Sequence, residues 1–170
     1  MELKSLGYKS ELIFTGFDGE VLDRGEYLVV RTLTNPNYFW GNLLIFDRPP
    51  LPGDFEKWRA IFKREFTDPR IYHMTFAWDS NAGAGDSAQF IAHGFDLQEQ
   101  AVMSTTYVQP PPKFNESLEV RPLLGDQDWL DMIELQIVSG DDKLPREEIA
   151  KFYRSQVGRY RRGELFQSQV

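Results

Sequence analysis

The chain has no cysteine and only two histidines, His73 and His93, among its 170 residues. Without thiols there is no disulfide framework, no cysteine-ligated zinc or iron–sulfur centre and no cysteine nucleophile. Two histidines leave little material for a histidine-rich metal site. Basic residues are the minority, 19 against 26 acidic, for a formal net charge of −7. Nucleic-acid binding, which neutralises phosphates with Lys and Arg, is not expected from that balance. No stretch approaches the roughly 18 uninterrupted apolar residues of a membrane helix, and residues 1–9 carry no apolar signal-peptide core. A soluble, cytoplasmic protein with no membrane partner is the expectation.

What is present is apolar and aromatic material. An apolar fraction of 41%, including 13 Phe, 7 Tyr and 4 Trp, is ample for a packed core and excludes wholesale disorder. The length lies between one full domain and two small ones.

Strand signals come first. Residues 11–14, 20–23 and 27–32 are short runs bounded by Phe17-Asp18-Gly19 and Asp23-Arg24-Gly25, which predict tight hairpin turns. An aromatic run over 37–48 ends at Pro49-Pro50. Phe55, Trp58, Ile61, Phe62 and Phe66 then recur at helical spacing, with Asp54 as the predicted N-cap and an end near Thr67-Asp68-Pro69. A strand over 71–78, a glycine-rich loop, a short helix from Asp86 to His93 and a last strand or hairpin arm over 97–108 follow. Pro110-Pro111-Pro112 cannot donate to a sheet or helix, so residues 109–117 read as a semi-rigid linker. Beyond it the pattern restarts: a strand over 118–122, a helix opened by Asp126 and carrying Trp129, Ile133 and Ile137, and a helix from about Pro145 to Gly163. The expected architecture is α/β, a mixed sheet flanked by helices.

Ala88-Gln89-Phe90-Ile91-Ala92-His93-Gly94-Phe95, followed by Gln100-Ala101-Val102-Met103-Ser104-Thr105, resembles the last helix and following strand of a GNAT-superfamily acyl-CoA N-acyltransferase. The element order before the linker resembles the later two-thirds of such a domain. Leu118-Glu119-Val120-Arg121-Pro122, with Asp126, Trp129 and Ile133, is similar to the opening of a second one. The resemblance implies a degenerate GNAT-like domain over 1–108, the linker over 109–117, and the start of a second domain over 118–170. On that reading the chain is a fragment of a longer bacterial protein, or a reduced form whose last helices cover the first domain or a partner chain.

In the family, a strand-to-helix loop of the type Gln/Arg-x-x-Gly-x-Gly/Ala binds the pyrophosphate of acetyl-CoA. That chemistry needs consecutive backbone amides aimed at phosphate oxygens and a helix N-terminus behind them. Here the place is taken by Arg48-Pro49-Pro50-Leu51-Pro52-Gly53-Asp54. Three prolines remove three donors, and Asp54 puts negative charge where phosphates belong. The resemblance therefore implies acetyl-CoA-dependent acyl transfer to a small-molecule or peptide amine in a complete protein, while this chain lacks a recognisable pyrophosphate loop. The alternative is a non-catalytic GNAT-like binding or dimerisation module. No residue is assigned a catalytic or cofactor-binding role, and no metal is expected.

Other constellations have simpler accounts. The loop 79–86 has Asp79, Asn81 and Asp86 at calcium-like spacings, but its glycines are misplaced and no closing glutamate follows. A flexible connection with Asp86 as N-cap explains it. His73 fits a structural histidine better than a general base, and His93 suits a helix C-terminus. Ser80 and Ser87 lack a neighbouring histidine. Carboxylates over 18–23 and Asp47 are expected to be solvated or capping rather than a glycosidase pair. Tyr38, Phe39 and Trp40 are expected to pack in the core rather than line a groove. Lys151, Arg154, Arg159, Arg161 and Arg162 make a basic patch that suits either a helix C-terminus or an acidic partner.

Overall fold

A computed structural model describes residues 1–113, 115–139 and 146–167, apart from the side chains of 17, 18, 148, 159 and 162–167. The chain forms two compact units, residues 1–100 with 158–170, and residues 101–157. The first is built on a four-stranded mixed sheet flanked by helices. Among the described residues no helix is long and apolar enough to cross a membrane.

Strands β1 (Glu20–Asp23), β2 (Tyr27–Arg31) and β3 (Asn42–Phe46) pair antiparallel, and β4 (Phe76–Trp78) joins β3 in parallel. The Asp23-Arg24-Gly25 turn joins β1 to β2 as expected: Gly25 takes φ +84, and its amide donates to Asp23 Oδ1 at 2.7 Å. Side chains alternate across β2 and β3. Tyr27, Val29, Leu44 and Phe46 enter one core, Leu28, Val30, Leu43 and Ile45 the other. Both faces of the central strands therefore need a cover.

Helix α2 (Asp54–Glu65) covers the first face with Phe55, Trp58, Ile61 and Phe62, the stripe read from the sequence. Trp58 stacks on Phe46 with centroids 3.7 Å apart and an interplanar angle of 5°. The short helix α3 (Ala88–Ala92) adds Phe90. Gly94, at φ +85, turns the chain out of α3, and Phe95 stacks on Phe76 at 5.6 Å. This end matches its expectation.

The second face carries the main correction. Residues 11–14 are no strand but part of helix α1 (Leu6–Asp18), so Phe17-Asp18-Gly19 is a helix-to-strand junction rather than a hairpin. Ser5 caps α1 by accepting the Gly7 amide at 3.1 Å. Tyr8 and Leu12, four residues apart on one helix face, pack with Leu3 and Trp40 on the second core.

Further expectations change for local reasons. Of the aromatic run, Phe39–Gly41 is a single 3₁₀ turn and only Asn42–Phe46 is strand. Of 71–78 only three residues ladder; at the other end the His73 Nε2–H donates to the Asn42 carbonyl at 3.3 Å, a side chain standing where a strand amide would. Residues 97–108 and 118–122 form no strand, and Met103, Val108 and Val120 are almost fully exposed. Gly53, not Asp54, occupies the cap position of α2, and Ser87, not Asp86, that of α3.

In the second unit, helix α4 (Asp126–Ser139) and most of helix α5 (Arg146–Gln167) bury Trp129, Ile133, Ile149, Ala150 and Val157. Asp126 is the first helical residue of α4. Arg121 forks onto Asp128 with two bonds of 2.6 Å, while Asp128 also accepts the Leu124 amide, and these contacts hold its carboxyl far below the usual range. Pro145 lies outside the described residues.

The stacked pair sets the stability of the first unit. Trp58→Ala is expected to cost about 3–5 kcal/mol, the range for removing a buried aromatic. Chemical denaturation measures it, and a loss under about 1 kcal/mol would place the core's main anchor elsewhere.

Candidate functional site

The carboxyl ends of the parallel strands β3 and β4 are where an open sheet offers a ligand crevice. Two loops emerge there, 47–53 and 79–87, and α2 begins there. The crevice is filled by the chain itself.

Proline removes the amide hydrogen at positions 49, 50 and 52. The Leu51 amide donates to Asp54 Oδ2 at 2.8 Å, and the Asp54 amide to the Leu51 carbonyl at 3.0 Å. Arg48 Nη1 donates to the same Asp54 oxygen at 2.5 Å and to the Pro49 carbonyl at 3.0 Å. The Asp86 amide closes the second loop on the first by donating to the Pro50 carbonyl at 2.7 Å. Gly85, at φ +59, runs so close to Pro49 and Pro50 that a Cβ there would collide with the Pro50 carbonyl. Pro50 is fully buried.

The charges follow. The Arg48 hydrogen bond lowers the Asp54 carboxyl, against the rise that burial imposes, and the Leu51 amide lowers it further. A buried, ionised carboxylate thus stands at the positive end of α2, where an anion would otherwise be drawn.

The loop 79–86 is likewise committed. Asp79, buried, accepts the amides of Lys4 and Ser5, so it fastens the start of α1 rather than facing a cation. Among the described residues no group of three His, Asp or Glu side chains is placed to hold a metal ion. Ser80 Oγ accepts the Ala82 amide at 3.2 Å.

The remaining candidates lie apart. Burial pushes the His73 imidazole down, keeping it neutral, and its ring meets Phe39 edge-on at 4.4 Å. Buried Nδ1 of His73 has no hydrogen-bond partner among the described residues. His93 Nδ1–H donates to the Gln89 carbonyl at 2.8 Å. Asp23 accepts the chain's own amino terminus at 2.6 Å, and Asp47 is exposed. Trp40 joins the second core, whereas Phe39 is about half exposed, against the expectation of burial. Lys151, Arg154 and Arg161 are exposed; the side chains of Asp18, Arg159 and Arg162 lie outside the described residues.

The opposite end of α2 carries a constellation that no sequence signal announced. Glu65, with only 8% of its side chain exposed, accepts Arg24 Nη2 at 3.0 Å and the Tyr27 hydroxyl at 2.9 Å. Arg31 donates to the Glu65 carbonyl at 2.7 Å and pairs with Glu20 at 2.6 Å; Arg64 Nη2 donates to the Tyr27 hydroxyl at 2.7 Å. Burial raises the Glu65 carboxyl, but the bonds from Arg24 and Tyr27 and the nearby arginines outweigh it, and the group stays below its ordinary value. Arg24, Arg31, Arg64 and Glu65 line a cavity of about 390 Å³. Only the scattered positions Arg24, Arg31 and Arg64 hint at it in the sequence, and they share no period.

No known protein family, curated protein or solved structure matches the chain.

The lowered Asp54 carboxyl stabilises the fold above the unfolded carboxyl value of 3.8, and that contribution disappears as pH falls through the depressed native value. Asp54→Asn is expected to lower stability at neutral pH by about 1 kcal/mol. It should also flatten the acid limb of a stability-versus-pH curve. An unchanged acid limb would show that Asp54 has no such role.

Proposed function

We propose that the first unit is a non-catalytic GNAT-like module, a binding or dimerisation platform that keeps the layered sheet and has no pyrophosphate cradle. The run from β3 through α2 and β4 to α3 agrees with the element order on which the resemblance rests, and it supports the GNAT-like part of this reading. One observation carries the rest. Across positions 49–54 three amides are absent, at the prolines, those of Leu51 and Asp54 are spent on Asp54 and Leu51, and the Asp54 carboxylate already occupies the helix's positive end. Acyl transfer from acetyl-CoA to an amine, the activity the resemblance implies for a complete family member, would require a different cradle.

Titration of the full chain with acetyl-CoA, followed by amide chemical shifts, separates the readings. The expected result is no movement of the amides of Leu51, Gly53 and Phe55 at acetyl-CoA concentrations on the order of 1 mM. One-to-one micromolar binding that moves those amides would overturn the non-catalytic reading and restore the transferase.

A further inference from the structure

The cavity at the carboxyl end of α2 holds more guanidinium capacity than its internal partners use. Arg24, Arg31 and Arg64 line it together with Glu65 and Asp68. Asp68 is engaged by Arg70, with bonds of 2.7 and 3.1 Å, and Arg31 is shared between Glu20, the Glu65 backbone and, at 3.7 Å, the Glu65 carboxylate. Counting these partners, four guanidinium groups meet three carboxylates. The helix's negative end adds roughly half a charge, so the balance remains on the positive side.

Hydrogen-bond capacity decides more than charge. A guanidinium carries about five N–H donors in a planar fork. Among the described residues, the Arg24 side chain hydrogen-bonds only Glu65, by Nη2. Arg64, 66% exposed, donates among the described residues only to the Tyr27 hydroxyl and stands 3.8 Å from the Glu65 carboxylate. Both are anchored by one nitrogen, from two different elements, and their side chains are 44% and 66% exposed. Anchoring lowers the entropy lost on binding, because the forks are already placed. Beside them Leu33, about half exposed, and Ile71 give the cavity an apolar wall. The Coulomb attraction of exposed arginines alone would be weak, but a fork pair beside an apolar wall recognises an oxyanion carried on a nonpolar body.

We propose that this cavity binds the oxyanion headgroup, phosphate or carboxylate, of a small organic molecule, with Arg24 and Arg64 as its forks and Leu33 against its apolar part. The site lies at the other end of α2 from the closed loop 47–54, and it stands whether or not the chain is a GNAT-like module.

Phenyl phosphate and benzoate, titrated separately into the full chain, test this by side-chain and amide chemical shifts. At least one probe should saturate, with the largest shifts at Arg24, Arg64 and Leu33, and the tighter one identifies the headgroup. Arg64→Ala should weaken it about tenfold, and Arg64→Lys, which keeps the charge and loses the fork, by several-fold. Lys57→Ala, on the same helix but outside the cavity, should change nothing. The lysine variant preserves the cation, so it remains informative even if Arg64→Ala unfolds. Failure of both probes to saturate by about 10 mM, shifts centred elsewhere, or equal binding by Arg64→Lys would overturn the proposal. Movement of the amides of Leu51, Gly53 and Phe55 would bear on the closed loop instead, so the two sites fail separately.

Discussion

The first unit depends on a sheet whose two central strands bury both faces. Val29, Val30, Leu44 and Ile45 are all essentially inaccessible, two on each side. A single layer of helices cannot satisfy such a sheet. One face takes α2 and α3, with Trp58 stacked on Phe46 at its centre. The other takes α1, which sets Tyr8 and Leu12 against it while Leu6 and Ile13 stay largely exposed. Asp79 fastens this helix: a buried carboxylate at the end of β4 accepts the amides that precede α1. The loop read from the sequence as a flexible connection is thus part of the sheet's cover.

This explains which elements were legible. The α2 stripe declares itself, because five large apolar residues at helical spacing leave no other way to bury them together. The β1–β2 hairpin is legible for a similar reason, since Gly25 supplies the positive φ that its turn requires. α1 was hidden. Leu12-Ile13-Phe14 reads as a β run, and Ile13 proves largely exposed. Its signal was Ser5 as a cap with Tyr8 and Leu12 at i, i+4, a pattern too sparse to outweigh three consecutive apolar residues. Segments 97–108 and 118–122 fail in the opposite sense. Their alternation is compatible with a strand, but a strand exists only where an edge receives it.

The loop 47–54 shows how far residue chemistry alone carries a functional argument. The prolines remove donors whatever the fold does, so the shortage of amide donors in this loop was readable from the sequence. The position of Asp54 was readable too, but its role was not. It does not cap α2; it turns back to Leu51 and Arg48 and knits the loop into a closed ring. That difference matters, because a capping aspartate can be displaced by a competing anion, whereas one tied to a guanidinium and a loop amide is part of the loop's own structure.

The two ends of α2 therefore differ in a way that the helix dipole alone does not predict. The dipole favours anions at the start of a helix and cations at its end. Here the start is already satisfied by an internal carboxylate, which removes its attraction for a ligand. The end gathers arginines, as the dipole favours, yet it also buries Glu65, which the dipole opposes. Glu65 is tolerated because Arg24 and Tyr27 bond it directly and Arg31 grips the backbone beside it. A carboxylate placed there at electrostatic cost has one clear structural effect: it brings guanidinium groups from the β1–β2 turn, from β2 and from α2 to a single cavity. None of these residues is close in sequence to all the others, so only the folded sheet, with α2 laid across it, assembles them. The same packing that closes the loop 47–54 at one end of the helix gathers guanidinium groups at the other.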